Sequence, residues 1–304
     1  MKSSIIKPRL VYKPFEYPEA YDFWLKQQQA HWLHTEVPMM SDVNDWKQNL
    51  ESHEKNIIGT ILKGFAQTET VVNDYWSTLV TKWFRKPEVI MMATTFGAFE
   101  TIHAEAYSLL NETLGLENFD EFMEDEATMA KIENLTTIRD SFNGKKDIHE
   151  IAKSLAIFSA FTEGVNLFSS FAVLLSFKMR NKLKGVGQIV EWSIRDETLH
   201  VEGGAALFHK YCDEHPRIVN DEFKSKIYQM AKEAVELEDR FIDLAITGNK
   251  IEGLTRDDVR NYIRFITDRR LIQLGLKPVF RVKENPLAWL DWVLSGVSHD
   301  NFFE

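Results

Sequence analysis

The sequence contains Glu100-Thr101-Ile102-His103 and Glu197-Thr198-Leu199-His200, two quartets of the form Glu-x-x-His. A lone glutamate inside an apolar stretch precedes each quartet: Glu69 comes 31 residues before Glu100, and Glu163 comes 34 residues before Glu197. These similar intervals indicate one helix-pair unit used twice. The sequence therefore predicts four helices that direct carboxylates toward one centre, with six candidate ligands for two metal ions: Glu69, Glu100, His103, Glu163, Glu197 and His200.

The surroundings of these residues carry the prediction, because two quartets alone are close to what chance provides. Residues three apart lie on the same face of a helix, so each quartet can present a carboxylate and an imidazole to one ion. The chain around Glu100 reads TTFGAFETIHAEAYSLL, and around Glu163 it reads AIFSAFTEGVNLFSSFA. Uncompensated buried carboxylates cost on the order of several kcal/mol each. Few basic residues are near enough in sequence to offset this cost, which favours a pair of cations over salt bridges.

The types of ligand restrict the metal and the fold. Carboxylate and imidazole ligands without thiolate favour iron or manganese over structural zinc, and redox metals imply oxygen chemistry. One Glu from each of two helices with Glu-x-x-His from two others is the pattern of ferritin-like di-iron and di-manganese proteins. We therefore predict an all-α fold, with a ferritin-like four-helix bundle core and additional helices.

Composition supports one large helical domain. The chain has 304 residues, 44% of them hydrophobic, and no Gly/Pro/Ser-rich linker divides it, so we predict a single domain over residues 1–304 with residues 1–40 as an N-terminal arm. A net charge of −10 argues against a nucleic-acid partner. A single cysteine, Cys212, and an N-terminus without the apolar core of a signal peptide favour the cytoplasm.

Helix signals give approximate boundaries. Ser41-Asp42 is a candidate N-cap for a helix to about Trp83, and Pro87 and Gly115 bracket the next helix. The 23-residue stretch Leu155–Phe177 is almost wholly apolar and long enough to cross a bilayer, but Glu163 near its middle would be costly in lipid, so we predict a buried helix and no membrane span. Other helices are predicted over 19–31, 121–139, 221–246 and 255–274, with a further one opened by Gly185 and Gly187.

The chain resembles the radical-generating small subunit of class I ribonucleotide reductase over nearly its whole length. The motifs that carry the resemblance are His53-Glu54-Lys55 leading to Glu69, ETIHAEAY from Glu100 to Tyr107, Glu163 with Phe171, and RDETLH from Arg195 to His200. Trp32, in HWLHTEV, falls where the family keeps its radical-relay tryptophan.

The resemblance implies a function. The dimetal cluster would react with an oxygen species, store a one-electron oxidising equivalent and pass it to a cysteine of a separate large subunit, where ribonucleotides are reduced. The relay in this chain would run from the cluster through His103, hydrogen-bonded to Asp196, to Trp32. The resemblance also implies a homodimer.

Two departures from the family pattern matter. Glu69 stands where the usual first ligand is Asp, as in subclasses with manganese-containing clusters, while Tyr107 is retained where the standard subclass stores its radical. This combination is most similar to the dimanganese subclass, class Id, with Fe2 and Mn/Fe as alternatives and with superoxide or a flavoprotein as possible activators. Family members also continue beyond a motif like Asn301–Glu304 into a tail that grips the large subunit; this sequence is either truncated there or has no such tail.

Two rival interpretations share the fold. The first is a ligand-binding Mn/Fe oxidase with a Val-Tyr crosslink; Val71 is present, but Phe158 stands where the tyrosine is expected. The second is a ferritin-like metal-storage protein. The Trp32 arm and the helices after His215 argue against it.

Overall fold

The computed structural model describes residues 3–116, 126–144, 147–246 and 251–291. Over these ranges the chain is helical, with only an isolated β-bridge between Ile251 and Leu254, which confirms the all-α prediction. The Asn301–Glu304 motif lies outside the described residues. The helices are α1 (Pro18–Gln29), α2 (Met40–Asn44), α3 (Ser52–Asp74), α4 (Thr81–Trp83), α5 (Pro87–Leu114), α6 (Glu126–Phe142), α7 (Ile148–Ile157), α8 (Phe168–Met179), α9 (Lys184–Glu214), α10 (Asp221–Ala245) and α11 (Arg256–Gln273).

Two helix pairs form the centre of the bundle. α3 packs along α5, while α7 and α8, which follow one another, both pack against α9. The two pairs meet where α5 contacts α9. Around this core, α1 lies against α5 and α9, whereas α6, α10 and α11 pack on the outside. The repeated interval in the sequence thus corresponds to a repeated pair of helices.

α5 shows how the sequence fixes the position of a quartet. Pro87 occupies the first turn, where a missing amide hydrogen costs nothing, and Gly115 adopts a left-handed φ of 73° directly after the last residue. Between them, Met92, Phe96 and Leu110 are buried, and each such side chain contributes roughly 1.5–3 kcal/mol. The predicted bounds are confirmed, and both ends of the helix that carries Glu100 are defined.

The predicted helix from Ser41-Asp42 to Trp83 is wrong at its start. The chain is extended at Leu50 (φ −107°, ψ 134°), and α3 begins only at Ser52. Asp42 does cap a helix, but a distant one: its carboxylate accepts hydrogen bonds from the amides of Gly185 (3.0 Å) and Val186 (2.8 Å) in the first turn of α9. Sequence spacing could not reveal this cap, because its partners lie more than a hundred positions away.

The predicted continuous helix over Leu155–Phe177 is also wrong. α7 passes into a π-helical turn, Phe158–Thr162, and residues 163–167 form a turn before α8 begins at Phe168. Glu163 therefore follows a break in the helix. Among the described residues, no helix is long and apolar enough to cross a membrane.

The remaining boundaries agree closely with prediction. α1, α10 and α11 match the predicted helices to within two residues at each end. α6 extends to Phe142, three residues past the predicted end, and residues 121–125 of that prediction lie outside the described ranges.

Candidate metal centre

All six predicted ligands meet in the centre of the bundle. Glu69 comes from α3, the first quartet from α5 and the second from α9, while Glu163 comes from the turn after α7. Every one of these side chains is at most 1% exposed. They form two groups in which ligand atoms lie within 4.8 Å of one another: Glu69, Glu100, His103 and Glu197; and Glu100, Glu163, Glu197 and His200. Glu100 and Glu197 belong to both groups, which is the arrangement expected of carboxylates that bridge two ions.

The imidazoles face the carboxylates through the same ring atom. His103 Nδ1 lies 3.1 Å from Glu100 Oε2 and 3.3 Å from Glu197 Oε1. His200 Nδ1 lies 2.8 Å from Glu100 Oε1. The carboxylate and imidazole of each quartet also belong to one group of neighbouring ligand atoms, Glu100 with His103 and Glu197 with His200. Nδ1 is the atom that each ring would offer to an ion.

The electrostatics of the group are unfavourable without cations. Burial, followed by the charges of neighbouring acids, raises the pKa of Glu69 and of Glu163 well above the ordinary value. Burial likewise opposes ionisation of Glu100, but His200 and His103 beside it hold its pKa low, at about 2. Glutamates of one cluster thus have pKa values that are shifted in opposite directions. This conflict is what two divalent cations would resolve, because each would favour the ionised form of every carboxylate that it contacts.

Orphaned polar atoms support the same conclusion. Glu69 Oε1, Glu163 Oε2 and Glu197 Oε2 are buried without hydrogen-bond partners within the described ranges. Across those ranges, the ion pairs of Glu100, Glu163 and Glu197 are with histidines and none is with Lys or Arg. Native proteins rarely leave such groups unsatisfied. The residues present therefore fit a dinuclear metal centre.

Asp196 links this cluster to Trp32. The indole Nε1 of Trp32 donates a hydrogen bond of 2.7 Å to Asp196 Oδ2, and the same oxygen lies 3.2 Å from His103 Nε2. The rings of Trp32 and His103 are nearly parallel, with centroids 5.9 Å apart. Trp32, Asp196 and His103 are all buried. The structure brings together the three residues that the resemblance named as a relay.

Tyr107 is completely buried on the Glu69 side of the cluster. Its ring packs against Phe65 at a centroid distance of 4.8 Å and lies 6.5 Å from the ring of His103. Phe171 also packs against Phe65, with the two ring centroids 5.3 Å apart. Burial and the nearby Glu69 raise the pKa of Tyr107 well above its ordinary value. The phenol is therefore protonated at any physiological pH.

Three contacts were missed by sequence reasoning. Gln27 Nε2 donates to Asp196 Oδ1 at 3.0 Å, on the side of the carboxylate opposite Trp32. The indole of Trp76 donates to Glu163 Oε1. Trp192 packs against Trp32 with ring centroids 5.2 Å apart. None of the three belongs to a motif in the sequence, because a glutamine or tryptophan in an apolar helix is usually explained by packing alone.

Comparisons with known proteins agree with this geometry. The family model described as "Ribonucleotide reductase, small chain" matches residues 9–286. A probable ribonucleoside-diphosphate reductase small subunit of Invertebrate iridescent virus 6 is 38% identical, over 99% of this chain and 93% of the relative.

Solved structures share the fold. The ribonucleotide reductase R2 subunit of Clostridium botulinum is similar with a TM-score of 0.88 at 22% identity, over 96% of this chain and 94% of that one. The dimanganese(II) NrdF of Streptococcus sanguinis is similar with a TM-score of 0.79 at 22% identity, over 92% and 96%. Given the match over residues 9–286 and the identity to the viral relative, this chain belongs to the ribonucleotide reductase small-chain family.

Proposed function

We propose that this oxidoreductase subunit generates and stores the oxidising equivalent that a large subunit uses to reduce ribonucleoside diphosphates. The observation that carries the proposal is the sharing of Glu100 and Glu197 between two buried ligand groups. Glu69 and His103 would complete one metal position, and Glu163 and His200 the other. When bound, a pair of redox metals supplies a stored one-electron oxidising equivalent after reaction with an oxygen species.

In this proposal the chain's own residues carry the electron and control a proton. Oxidation of Trp32 makes its indole N–H strongly acidic, and Asp196 Oδ2 lies 2.7 Å away to accept that proton. Gln27 donates to Oδ1 of the same carboxylate at 3.0 Å, which fixes its orientation. The second contact of Oδ2, with His103 Nε2 at 3.2 Å, sets the orientation of the imidazole toward the centre. Asp196 thus connects proton transfer at Trp32 with the position of a ligand.

We propose manganese at both positions, with Fe2 or Mn/Fe as the alternatives. The ligand set without thiolate suits all three. Glu69 in place of Asp supports manganese by resemblance, and one neighbour of the same fold is a dimanganese protein. In this proposal Tyr107 stays reduced. Its burial supports this, because no carboxylate or imidazole among the described residues is hydrogen-bonded to the Tyr107 hydroxyl to accept the proton released on oxidation.

Family membership supports two partners, a large subunit and a second copy of this chain. We propose superoxide or a flavoprotein as the source of the activating oxidant. A single buried cysteine, Cys212, is consistent with a protein that functions in a reducing cytoplasm.

The proposal is tested by loading the metal-free protein separately with Mn(II) and Fe(II). Each form is exposed to oxygen and to superoxide, and electron paramagnetic resonance is recorded beside activity with the large subunit. We expect activity only in the manganese form treated with superoxide, without a tyrosyl radical signal. Activity of the iron form with a tyrosyl radical would place the chain in the standard subclass, and no activity in any form would contradict the proposed function.

A further inference from the structure

Glu163 differs from the other five candidate ligands in how its backbone is held. The other five lie within the regular helices α3, α5 and α9. Glu163 instead follows the π-helical turn, and its amide donates to the carbonyl of Phe158 at 3.0 Å. Further along, the amide of Phe168 donates to Val165 at 3.0 Å. In a continuous α-helix that amide would bond to Gly164, so the carbonyl next to Glu163 loses its normal partner.

Arg270 of α11 takes the place of that partner. Its Nε donates to the carbonyl oxygen of Gly164 at 3.1 Å, and its Nη1 donates to Gln273 Oε1 at 3.0 Å. The guanidinium lies over the ring of Phe168, 5.1 Å from the centroid, and the residue is only 6% exposed. Burial lowers the pKa of Arg270 to about 10, which still leaves it charged at neutral pH. The structure thus places a buried cation against one backbone carbonyl, and its hydrogen bonds to Gly164 and Gln273 offset part of the cost of burying the charge.

Glycine at position 164 permits this approach. A Cβ added to Gly164 would lie 2.7 Å from Arg270 Nε and nearer still to the carbonyl oxygen of Ala160, both closer than such atoms normally come. Glycine at this position therefore accommodates both the backbone of the π-helical turn and the guanidinium of Arg270. A larger residue at 164 would require the turn and Arg270 to move.

A second cation holds the same turn from another outer helix. Lys131 of α6 donates from Nζ to the carbonyl of Asn166 at 2.6 Å, and the same ammonium lies 2.6 Å from Oε1 of Glu238. Glu238 is fully buried in α10. Two outer helices thus supply cations to two carbonyls within three residues of Glu163.

We propose that Arg270 is a positioning residue for the Glu163 side of the dimetal centre. It takes over a hydrogen bond that the helix break removes, and so fixes the backbone from which the Glu163 carboxylate reaches its ion. This inference rests on the proposed metal centre. It predicts an unequal effect on the two ions, because Glu69 and His103 stand on helices that Arg270 does not contact. Partners that orient ligands typically change metal affinity by about 10- to 100-fold.

The test measures binding of Mn(II) to the metal-free full-length chain carrying Arg270→Met. We expect the second Mn(II) to bind at least about tenfold more weakly, while the first binds as in the parent. At limiting metal, the spin-coupled dimanganese signal should give way to the six-line signal of isolated Mn(II). Arg270→Lys keeps a charged donor and should restore part of the second affinity.

Arg269→Met is the matched control, since Arg269 is the exposed neighbour on the same helix and stacks on Phe265 at 4.8 Å. It should leave both affinities unchanged. If Arg270→Met does not fold, Gln273→Ala removes only the anchor of the guanidinium and should weaken the second ion by a smaller factor. The inference would be overturned if either folded variant bound both ions with the parental affinities. It would also be overturned if the binding of both ions were weakened equally. A parent chain that binds no pair of Mn(II) ions would instead refute the metal centre.

Discussion

Trp32 and His103 are joined through a single oxygen atom. Asp196 Oδ2 accepts the indole hydrogen bond at 2.7 Å and lies 3.2 Å from His103 Nε2. This geometry gives Trp32 two properties that a tryptophan buried only for packing would lack: a proton acceptor in contact and a short path to a candidate ligand. The consequences can be tested at Trp32 itself.

Trp32→Phe should preserve the oxidised centre and abolish turnover. Phenylalanine keeps the buried aromatic volume, but it has no N–H for Asp196 and is much harder to oxidise. The oxidised centre should still form and be visible by electron paramagnetic resonance. Ribonucleotide reduction with the large subunit should fall by at least about a hundredfold, because an essential transfer step is lost. Trp24→Phe on α1 is the control and should retain activity. Normal turnover of Trp32→Phe would rule out the relay.

Tyr107→Phe should still activate. The hydroxyl of Tyr107 is buried without a hydrogen-bonded carboxylate or imidazole among the described residues, and in the proposed dimanganese centre it stays reduced. Removing one hydroxyl from a packed ring should change activity by less than about threefold, corresponding to a cost under about 1 kcal/mol. The measurement is activity with the large subunit beside electron paramagnetic resonance. Loss of activity, together with a tyrosyl radical in the parent, would show that Tyr107 is the radical site.

The six candidate ligands could be identified from the sequence because their signal is local. Glu-x-x-His spacing defines one helix face, and apolar neighbours reveal that the face is buried. The bounds of α5 were predictable for the same reason, since Pro87 and Gly115 lie within the chain segment that they delimit. Local patterns thus gave both the helices and the six residues that they bring together.

The breaks in the helices and the supporting contacts were not predictable. An apolar run such as Leu155–Phe177 looks the same whether or not it contains a π-helical turn, and the contacts to the residues just after the turn come from distant Arg270 and Lys131. Arg270 lies 106 positions from Gly164, and Gln27 lies 169 from Asp196. Neither residue type is distinctive at its position. Such contacts depend on tertiary packing, which one sequence does not encode in any local pattern.

Asp42→Ala should destabilise the protein without touching the centre. The Asp42 carboxylate accepts from Gly185 and Val186 at the N-terminus of α9, where free amides and the helix dipole favour a negative charge. Losing this cap should lower the free energy of unfolding by about 1–2 kcal/mol. Urea denaturation of the metal-free chain measures the effect, with Asn44→Ala, at an exposed position of the same helix, as the control. An unchanged midpoint would mean that other groups cap α9.

Single alanine substitutions among the glutamates should distinguish terminal ligands from shared ones. Glu69 and Glu163 each belong to one ligand group, whereas Glu100 belongs to both. Glu69→Ala and Glu163→Ala should therefore each lower manganese content from about two ions per chain to about one, because the opposite group keeps its ligands. Glu100→Ala should lose most of both ions.

Metal analysis after gel filtration measures the number of ions per chain. The control is Glu105→Ala, because Glu105 is an exposed acid on the same helix as Glu100, and this variant should keep both ions. The three folded variants should also differ spectroscopically. The two terminal variants should show isolated Mn(II), since a lone ion has no neighbour to couple with, and Glu100→Ala should show little bound metal. Full metal content in Glu163→Ala would remove that residue from the centre. Equal losses in all three variants would contradict the division into shared and terminal carboxylates.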